Sequence, residues 1–556
     1  MKASRSIAIV IFSSGHCPKY RDLIRPETEI PGAGNAFAVI LQRLKNVPGI
    51  SEIIFSVTDR DFDSNLPSLL TPMGKKVRNF HYNENCERNI SYLPERWGFS
   101  LDEGIGECIG SQLTEAVKGC KAEHLIAIPY SNILVDAEKI AESIRLHLNE
   151  GFDATFSADL LPGANWTILK TELLEGLNLR HSDLMSKRGG LYWAIKKPLY
   201  PFKVGYFHAP RERLRFSADL RFLSKRSFDV FRKFVSDDFS SPRFSYSKFL
   251  METKWGEEIT NYSPSTLFIE PTNSCNAKCL YCPQPELLRE RENLSIQNFE
   301  RLISSFEQKD VGILFSGMGE PLFNQNMKDF VYNSAMAERR IKIYTGLSSQ
   351  PESDFPWNKV THLRISFDSN DPASFTNNRS GCSWEQIIAL INTLKQAKEN
   401  EKSANPEIGI SFLKHNANNS SALPFLNHWK NKCSPPFRNY FFSPASDSDS
   451  NSISPVSWFQ IIGASDFLGT KEYPAAVRYT PLNRKVCVHA VSGFHLLSNG
   501  QVTICPFDIE GKYACGNINV DSPVQIWCNQ QEFRKKHFAD ELDFEPCAKC
   551  NDWYHP

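Results

Sequence analysis

Three cysteines in the middle of the chain restrict its fold and chemistry more than any other feature of the sequence. Cys275, Cys279 and Cys282 have the spacing C-x3-C-x2-C within FIEPTNSCNAKCLYCPQP, residues 268–285. A predicted strand ends at Glu270, so the three thiols lie on one short loop after it. Three thiolates on such a loop can bind one face of a [4Fe–4S] cluster and leave the fourth iron without a protein ligand. Catalytic metal sites keep such an open position, whereas structural sites are usually closed.

The rest of the composition favours metal or cluster ligation over disulfides. The chain has 556 residues and 15 cysteines, an odd number, whereas disulfide-based folds are small and dense in cysteine. Zinc is the alternative occupant of the trio, but it would need a fourth ligand nearby. Residues 283–302 contain neither histidine nor cysteine, so the open cluster is the favoured interpretation.

Charge and hydropathy argue against two classes of partner. Lys+Arg and Asp+Glu both number 63, so the formal net charge is zero and no overall basic field attracts nucleic acid or an anionic membrane. No segment approaches the ~20 apolar residues that span a bilayer. The apolar run Ile7–Phe12 is too short for a signal peptide and predicts a first buried strand. We therefore expect a cytoplasmic protein that binds neither membrane nor nucleic acid.

Alternating apolar runs and helical patterns predict an α/β fold with two series of strands. The first series occupies residues 1–235, with predicted strands Ile7–Phe12, Glu52–Val57 and His124–Pro129 and predicted helices Ala36–Leu44 and Asp136–Leu148. The second series occupies residues 264–445, with predicted strands Leu267–Glu270, Gly312–Phe315, Lys342–Thr345, His362–Ser366, Ile408–Leu413 and Tyr440–Ser443 and helices such as Ile296–Phe306 and Trp384–Ala397. Six such units predict a parallel, barrel-like sheet with ligands at the carboxyl ends of the strands.

Two polar regions separate the predicted domains. Residues 236–263 form the first predicted linker, and residues 446–484, which include a serine-rich stretch, form the second. Residues 485–556 are short and rich in cysteine, glycine and proline, and we expect them to form a small domain of their own.

Two further motifs follow strands of the predicted barrel. Strand Gly312–Phe315 runs into the segment SGMGEP, residues 316–321, whose glycines let the backbone approach a ligand closely. Glu320 in that segment can accept a hydrogen bond from an ammonium group. At the end of another strand, Ser366 and Asp368 supply a hydroxyl and a carboxylate that can bind ribose hydroxyls.

In these motifs the chain resembles the radical S-adenosylmethionine (AdoMet) enzymes, which place this triad after the first barrel strand with an aromatic residue, here Tyr281, before the third cysteine. The resemblance covers roughly residues 264–445 and implies a partial (β/α)6 barrel. It implies that the three cysteines bind a catalytic [4Fe–4S] cluster whose open iron takes the amino and carboxylate groups of AdoMet. The AdoMet contacts that it implies are Gly317, Met318, Gly319 and Glu320 at the methionyl amine, and Ser366, Asp368 and Arg379 at the ribose and carboxylate.

The same resemblance implies the reaction. An electron from a donor such as ferredoxin or flavodoxin would cleave AdoMet to methionine and a 5′-deoxyadenosyl radical, which abstracts hydrogen from the substrate. Radical initiation needs no general base, and the sequence identifies no catalytic residue beyond the cluster ligands.

A second group of cysteines lies near the C-terminal end. Phe494–Leu497 and Gln501–Ile504 flank a Ser-Asn-Gly turn and predict a hairpin, which brings two cysteines together. A C-x2-C pair further on could close a four-thiolate site, although spacing alone does not choose between zinc and iron–sulfur. The four candidate ligands are Cys487, Cys505, Cys547 and Cys550.

This region resembles the SPASM domain, which follows the barrel in many radical AdoMet enzymes acting on peptides and proteins, with the spiro-SPASM subgroup as a further candidate. The resemblance implies that the four cysteines bind an auxiliary [4Fe–4S] cluster and that the substrate is a peptide or protein. The longer family pattern holds two such clusters, but this sequence ends at Pro556, so we expect one. Cys515 and Cys528 are alternative ligands.

Residues 6–58 resemble the start of a nucleotidyltransferase-like parallel α/β domain, similar to sugar-activating cytidylyltransferases. Active members carry a basic glycine-rich loop and an acidic Mg²⁺ ligand. Here the loop is Ser13–Lys19, Tyr130 and Ser131 stand where the acid is expected, and Asp219 is a candidate second acid. We therefore expect a degenerate domain that recruits substrate. Two other functions stay open: a bifunctional enzyme with an active nucleotidyltransferase domain, and a non-catalytic iron–sulfur binding or electron-transfer protein.

Overall fold

A computed structural model describes residues 6–12, 28–58, 76–80, 109–157, 160, 163–185, 195, 202–208, 228–229, 231–234, 239–253, 258, 261–308, 311–401, 405–429, 458–463, 467–468, 487–539, 541–548 and 550. The loop Ser13–Lys19, Asp219 and the predicted strand Tyr440–Ser443 lie outside these ranges. The chain divides into two compact units, Met1–Tyr262 and Ser263–Pro556. Among the helices of the described residues, none is long and apolar enough to cross a membrane.

Unit 1 contains a seven-stranded sheet in the described part of the chain, with strand order β3-β2-β1-β4-β6-β5-β7. Its strands are β1 (Ile7–Phe12), β2 (Ile50–Thr58), β3 (Lys76–Phe80), β4 (His124–Pro129), β5 (Ala154–Ser157), β6 (Thr167–Lys170) and β7 (Val204–Phe207). Its helices are α1 (Ala36–Leu44), α2 (Ile109–Val117), α3 (Ala137–Glu150), α4 (Thr171–Met185) and α5 (Tyr246–Thr253). The predicted α/β class is confirmed, with the addition that β6 runs antiparallel to β4 and β5.

Strand β1 shows why the predicted strands of unit 1 are unbroken apolar runs. Ile7, Ile9 and Ile11 belong to one hydrophobic core, while Val10 and Phe12 belong to another on the opposite face of the sheet. A strand covered on both faces has no solvent-facing positions, so it loses the alternation of an amphipathic strand.

The region predicted as the first linker contains a helix that packs on unit 1. The Arg43 guanidinium donates hydrogen bonds to the backbone oxygens of Phe239 and Ile133, and it stacks on the Phe244 ring with its central carbon 3.4 Å from the ring centroid. The Asp136 carboxylate accepts a 3.0 Å hydrogen bond from the backbone N–H of Tyr246, the first residue of α5. Aromatic residues in this polar stretch therefore belong to the core of unit 1.

Unit 2 contains a nine-stranded sheet among the described residues, with strand order β15-β14-β12-β11-β10-β8-β16-β17-β18. The strands of that sheet are β8 (Thr266–Ile269), β10 (Gly312–Phe315), β11 (Ile341–Thr345), β12 (His362–Ser366), β14 (Glu407–Lys414), β15 (Trp458–Gly463), β16 (Gly493–Leu496), β17 (Gln501–Thr503) and β18 (Ala514–Asn517). Strands β9 (Lys278–Cys279) and β13 (Arg379–Ser380) form a separate two-stranded sheet. The helices of unit 2 are α6 (Ile296–Ser305), α7 (Met327–Met336), α8 (Pro372–Asn378), α9 (Trp384–Glu401), α10 (Ala422–Trp429), α11 (Val488–Ser492), α12 (Pro523–Asn529) and α13 (Gln531–Ala539).

Six of these strands lie side by side in the sheet in the same order as in the chain, and each pairs in parallel with the next: β8, β10, β11, β12, β14 and β15. This arrangement is expected for a partial (β/α)6 barrel. The sixth strand, β15, lies within residues 446–484, which the sequence predicts to be a linker. The other domain limits stay predictions. Leucine and isoleucine side chains such as Leu363 and Ile365 on β12 share one core with Phe299 of α6 and Phe330 of α7, so this face of the sheet is covered by helices.

The predicted C-terminal hairpin is present and is joined to the barrel sheet. Strand β16 pairs antiparallel with β17 and parallel with β8, where His495 lies opposite Phe268. The cysteine-rich region therefore continues the sheet that carries the first cysteine loop.

Asp136 provides a test of the contact between the first predicted linker and unit 1. Its Oδ1 caps α3 by accepting from the backbone N–H groups of Glu138 and Lys139 at 3.0 and 3.2 Å, and its Oδ2 accepts from Tyr246. Asp136→Ala removes both contacts, so we expect the free energy of unfolding to fall by about 1–2 kcal/mol in a urea titration. Asp136→Asn keeps the cap but its amide nitrogen cannot accept from Tyr246, so a smaller loss is expected. Equal losses for both variants would contradict the role of the α5 contact.

Candidate active site

The three cysteines of the first motif open onto one cavity. Short strand β9 pairs antiparallel with β13, placing Cys279 opposite Arg379, and the backbone N–H of Cys282 donates to the Cys279 carbonyl at 3.1 Å. These bonds fold the loop so that Cys275, Cys279 and Cys282 all line a cavity of about 640 Å³. The loop therefore presents three thiols to one space, as the sequence predicts.

The surroundings of the three thiols differ. Interaction with the Cys382 thiol lowers the pKa of Cys279 to about 6, against the effect of burial and with the help of the Arg379 cation. Burial raises the pKa of Cys282 to about 11, and burial also raises the pKa of Cys275. The Cys275 Sγ lies 3.3 Å from the hydroxyl oxygen of Ser348. Cys382 was not among the predicted site residues, because it lies about a hundred residues along the chain from the loop.

Behind the cysteine loop lies a buried network that joins its aromatic residue to an ion pair. The Tyr281 hydroxyl donates to Asp368, and Arg379 donates to the Tyr281 oxygen at 2.5 Å and to the same Asp368 oxygen. The other Asp368 oxygen accepts from the backbone N–H of Leu413 at 2.5 Å. Neither Asp368 nor Arg379 lines the cavity. Their predicted contacts with AdoMet stay predictions, and in this structure the two side chains bond each other. Ser366 is half-buried at the carboxyl end of β12.

The glycine-containing segment after β10 approaches the start of the cysteine loop closely. Gly317 has φ +148°, in the region that favours glycine, and a side chain there would meet the Glu270 side chain. A Cβ at Gly319 would lie 2.2 Å from the carbonyl oxygen of Thr272, so only glycine fits. The backbone N–H of Glu320 donates to the Ser274 carbonyl at 3.0 Å.

The Glu320 carboxylate is buried and accepts hydrogen bonds from groups at the end of β11 and from the backbone two residues further along its own segment. Its donors are the Thr345 hydroxyl at 2.5 Å and the backbone N–H groups of Gly346 and Leu322 at 3.0 and 3.3 Å. Burial raises the pKa of Glu320, while these hydrogen bonds lower it. The donors hold the carboxylate in one orientation beside the cysteine loop, where the resemblance implies an ammonium group.

A second buried carboxylate, Glu270, was not predicted as a site residue. It forms an ion pair with Arg289 at 2.9 Å, and it accepts from the Ser498 hydroxyl at 2.8 Å and from the backbone N–H of Met318 at 3.1 Å. Arg289 in turn donates to the carbonyl of Ile509 at 2.6 Å. One ion pair thus connects the cysteine-loop region, the glycine segment and the C-terminal hairpin. The sequence gives no signal for it, since its partners are far apart in the chain.

The structure brings the four C-terminal cysteines together. Burial raises the pKa of Cys505, and the thiols of Cys487, Cys550 and Cys547 lie close enough to raise it further. The Cys547 Sγ also lies 3.5 Å from Nε2 of His537 on α13. Of the alternative ligands, Cys515 donates to the Val502 carbonyl at 3.1 Å, while Cys528 is exposed on α12.

Within the residues that the structure describes, no three histidine, cysteine, aspartate or glutamate side chains converge closely enough to hold a single metal ion. A [4Fe–4S] cluster makes a different demand, because each thiolate binds a separate iron atom. Cys275, Cys279 and Cys282 present three thiols to one cavity, and four cysteines lie near one another in the C-terminal group. Both donor sets fit such a cluster.

Comparison with known proteins assigns the two cysteine regions to families. Residues 269–405 match the family model of the Radical SAM superfamily, and residues 487–551 match the SPASM model, described as an iron-sulfur cluster-binding domain. The chain carries a radical SAM domain and a SPASM domain. These domains indicate an enzyme of the radical SAM type, with a catalytic [4Fe–4S] cluster, auxiliary iron–sulfur binding and AdoMet as its cofactors.

Among curated proteins, the chain is similar to a PqqA peptide cyclase from Streptomyces rochei, with 28% identity over 119 residues. The match covers 20% of this chain and 32% of the relative, so it spans about a third of that protein's length.

Among solved structures, SuiB of Streptococcus suis bound to the precursor peptide SuiA has 12% identity and a TM-score of 0.36, covering 64% of this chain and 78% of that one. A cytidylyltransferase from Leptospira borgpetersenii has 16% identity and a TM-score of 0.34, covering 46% of this chain and 95% of that one.

The SPASM ligands can be tested by counting iron. With one cluster in each domain, we expect the anaerobically purified protein to hold about eight iron and eight sulfide per chain. Cys505→Ala should lower both counts to about four, while Cys528→Ala, at an exposed cysteine outside the group, should leave them unchanged. Stoichiometric zinc without labile sulfide in the SPASM domain would show that the second site is a zinc site.

The network behind the cysteine loop makes a prediction about stability. Arg379→Met leaves the Asp368 carboxylate buried without its cation, so the free energy of unfolding in a urea titration should fall by about 3–5 kcal/mol. The double variant Arg379→Met with Asp368→Asn removes both charges and should recover most of that loss. Asparagine tolerates the positive φ of this position and keeps an oxygen that accepts from the Leu413 N–H. Additive losses in the double variant would mean that the ion pair is not what stabilises this region.

Proposed function

We propose that this protein reductively cleaves AdoMet and uses the resulting 5′-deoxyadenosyl radical to abstract hydrogen from a peptide or protein substrate. The observation that carries the proposal is the set of three thiols, Cys275, Cys279 and Cys282, on the wall of one cavity inside the radical SAM domain. When bound there, a [4Fe–4S] cluster with an open iron supplies the electron transfer that cleaves the sulfonium. The electron comes from a donor such as ferredoxin or flavodoxin.

The residues around the cavity bind and orient the cofactors. The three thiols hold the cluster, and the Gly317–Glu320 segment receives the methionyl end of AdoMet, with the Glu320 carboxylate as acceptor for its ammonium group. Glu320 is already oriented by the Thr345 hydroxyl and by backbone N–H groups, so little conformational freedom is lost on binding. The Tyr281–Asp368–Arg379 network supports the loop from behind and keeps it in place.

Two observations support a peptide or protein as the substrate. The chain carries a SPASM domain, and the curated relative that it matches is named for the cyclisation of a peptide. The SPASM cysteines would hold an auxiliary cluster, which would accept the electron that remains on the substrate after hydrogen abstraction.

We propose that unit 1 recruits substrate and does not transfer nucleotides. Tyr130 and Ser131 are buried at the carboxyl end of β4, and Tyr130 stacks on Phe37 with ring centroids 6.1 Å apart. The Asn132 amide is bonded to the Asn165 side chain at 2.6 Å. This position, where a metal-binding acid is expected, therefore holds neutral buried side chains. Release of pyrophosphate from CTP by the purified protein would support the bifunctional alternative.

The proposed reaction is tested with the triad itself. Under anaerobic conditions with dithionite and AdoMet, the cluster-loaded protein should form 5′-deoxyadenosine, and Cys279→Ala should form none because one iron loses its protein ligand. Cys528→Ala is the matched control and should form 5′-deoxyadenosine at the rate of the unchanged protein. The product is measured by liquid chromatography with mass spectrometry.

Each other outcome has a distinct meaning. Undiminished 5′-deoxyadenosine from Cys279→Ala would refute the ligand assignment. A protein that holds its full iron content, binds AdoMet and forms no 5′-deoxyadenosine would support the non-catalytic iron–sulfur alternative.

A further inference from the structure

One arginine of the barrel sheet points away from the helices, and among the described residues it has no counter-ion. On β12, Leu363 and Ile365 belong to the core beneath the helices, so Arg364 between them lies on the opposite, inner face of the sheet. In the register of the sheet it lies between Tyr344 of β11 and Gly409 of β14. Its guanidinium carbon is 3.4 Å from the centroid of the Tyr344 ring.

Two carboxylates on the inner face, Glu270 and Glu407, contact side chains other than Arg364. Glu270 pairs with Arg289, and Glu407, one inward position before Gly409, lies 3.0 Å from Nε2 of His362. In the described part of the chain Arg364 has no hydrogen bond or ion pair, and its buried Nε has no partner. A cation held away from water without a counter-ion is costly, and a ligand carboxylate would supply the missing charge.

Arg379, the arginine behind the cysteine loop, differs from Arg364 because it is paired with Asp368, which lies beyond the end of β12. Asp368 therefore neutralises the arginine nearest the cysteine loop. Each arginine lies near an aromatic ring, Tyr281 or Tyr344, but within the described residues only Arg379 is paired with an acid.

Arg364 lies further from the carboxyl end of its strand than Ser366, a residue predicted to contact AdoMet. Ser366 lies two residues further along β12, at its carboxyl end, and Thr345, next to Tyr344, donates to Glu320. A group bound by Arg364 would therefore lie beside the AdoMet site, on the inner face where a substrate must present its C–H bond.

We propose that Arg364 binds a carboxylate of the substrate, such as a glutamate or aspartate side chain of the peptide. The Tyr344 ring contacts the face of the guanidinium, and the N–H groups in its plane are the ones that form a bidentate contact with a carboxylate. Gly409 on the other side has no side chain to occupy that space. The inference rests on the proposed peptide-modifying function and adds to it that the peptide is acidic at the residue held next to the reacting position.

AdoMet also has a carboxylate, and the experiment separates the two sources. The full-length, cluster-loaded protein is treated anaerobically with phenylglyoxal, which modifies arginine, first without AdoMet and then saturated with AdoMet. The probes are added to the AdoMet-saturated protein, and the rate at each arginine is followed by peptide mass mapping. The probe is N-acetyl-glutamate N-methylamide, and its uncharged isostere N-acetyl-glutamine N-methylamide is the control. Arg145, exposed on α3, is the internal reference.

We expect the glutamate probe to slow modification of Arg364 by about threefold or more, because a charge-assisted bidentate contact shields the guanidinium. The glutamine probe should have no effect, and Arg145 should react at the same rate throughout. Equal protection by both probes would show that charge is not recognised and would overturn the proposal. Full protection by AdoMet alone would assign the guanidinium to the cofactor and overturn it as well. An Arg364 that never reacts is closed to ligands, which also overturns it.

The same preparation distinguishes this inference from the function on which it rests. If the protein forms 5′-deoxyadenosine with dithionite but the glutamate probe gives no protection, the carboxylate site alone is wrong. If the probe protects Arg364 but no 5′-deoxyadenosine forms, the site stands and the radical reaction is wrong.

Discussion

The ion pair between Glu270 and Arg289 is the interaction on which the organisation of unit 2 most depends. Both side chains are buried, and each one holds backbone as well as its partner: Glu270 binds the N–H of Met318, and Arg289 binds the carbonyl of Ile509. Desolvating two charges is expensive, and hydrogen bonds to their other donors and acceptors offset part of that cost. Here the additional contacts come from segments about fifty and about two hundred residues away. The pair therefore fixes the glycine segment and the C-terminal hairpin relative to the strand that leads into the cysteine loop.

The sequence predicts local structure in this chain well, because local structure depends on neighbours in the chain. Strands β1, β4, β10 and β12 and helix α1 have the predicted limits, since an apolar run bounded by turn residues has few other solutions. The second linker was mispredicted over Trp458–Gly463, because serine-rich composition nearby obscured a short strand whose stability comes from pairing with β14. Amino-acid composition indicates how readily a segment is solvated. A strand at the edge of a sheet is stabilised by hydrogen bonds to its neighbouring strand, and composition does not reveal that pairing.

In the candidate site, too, the sequence predicts local features but not contacts between distant parts of the chain. The cysteine triad is predictable because its ligands lie within eight residues, and spacing alone brings them together. Asp368 and Arg379 were predicted as separate AdoMet contacts, yet in the structure they bond each other through the fold of the loop between them. Glu270, Cys382 and Arg364 were not predicted at all. The role of each of these residues depends on which charged group or thiol lies beside it in the fold. A single sequence does not show such long-range contacts.

Strand β16 makes the SPASM region a continuation of the barrel sheet. Because β16 pairs in parallel with β8, the C-terminal region covers the edge of the first barrel strand with backbone hydrogen bonds. A chain cut before residue 487 would keep every cysteine of the catalytic loop, yet it would expose the N–H and C=O groups of β8 next to that loop. Open sheet edges recruit other strands, so such a fragment would tend to self-associate at the strand that precedes its own cofactor site. In this protein the SPASM region extends the sheet of the barrel, and both cofactor domains lie within the one compact unit Ser263–Pro556.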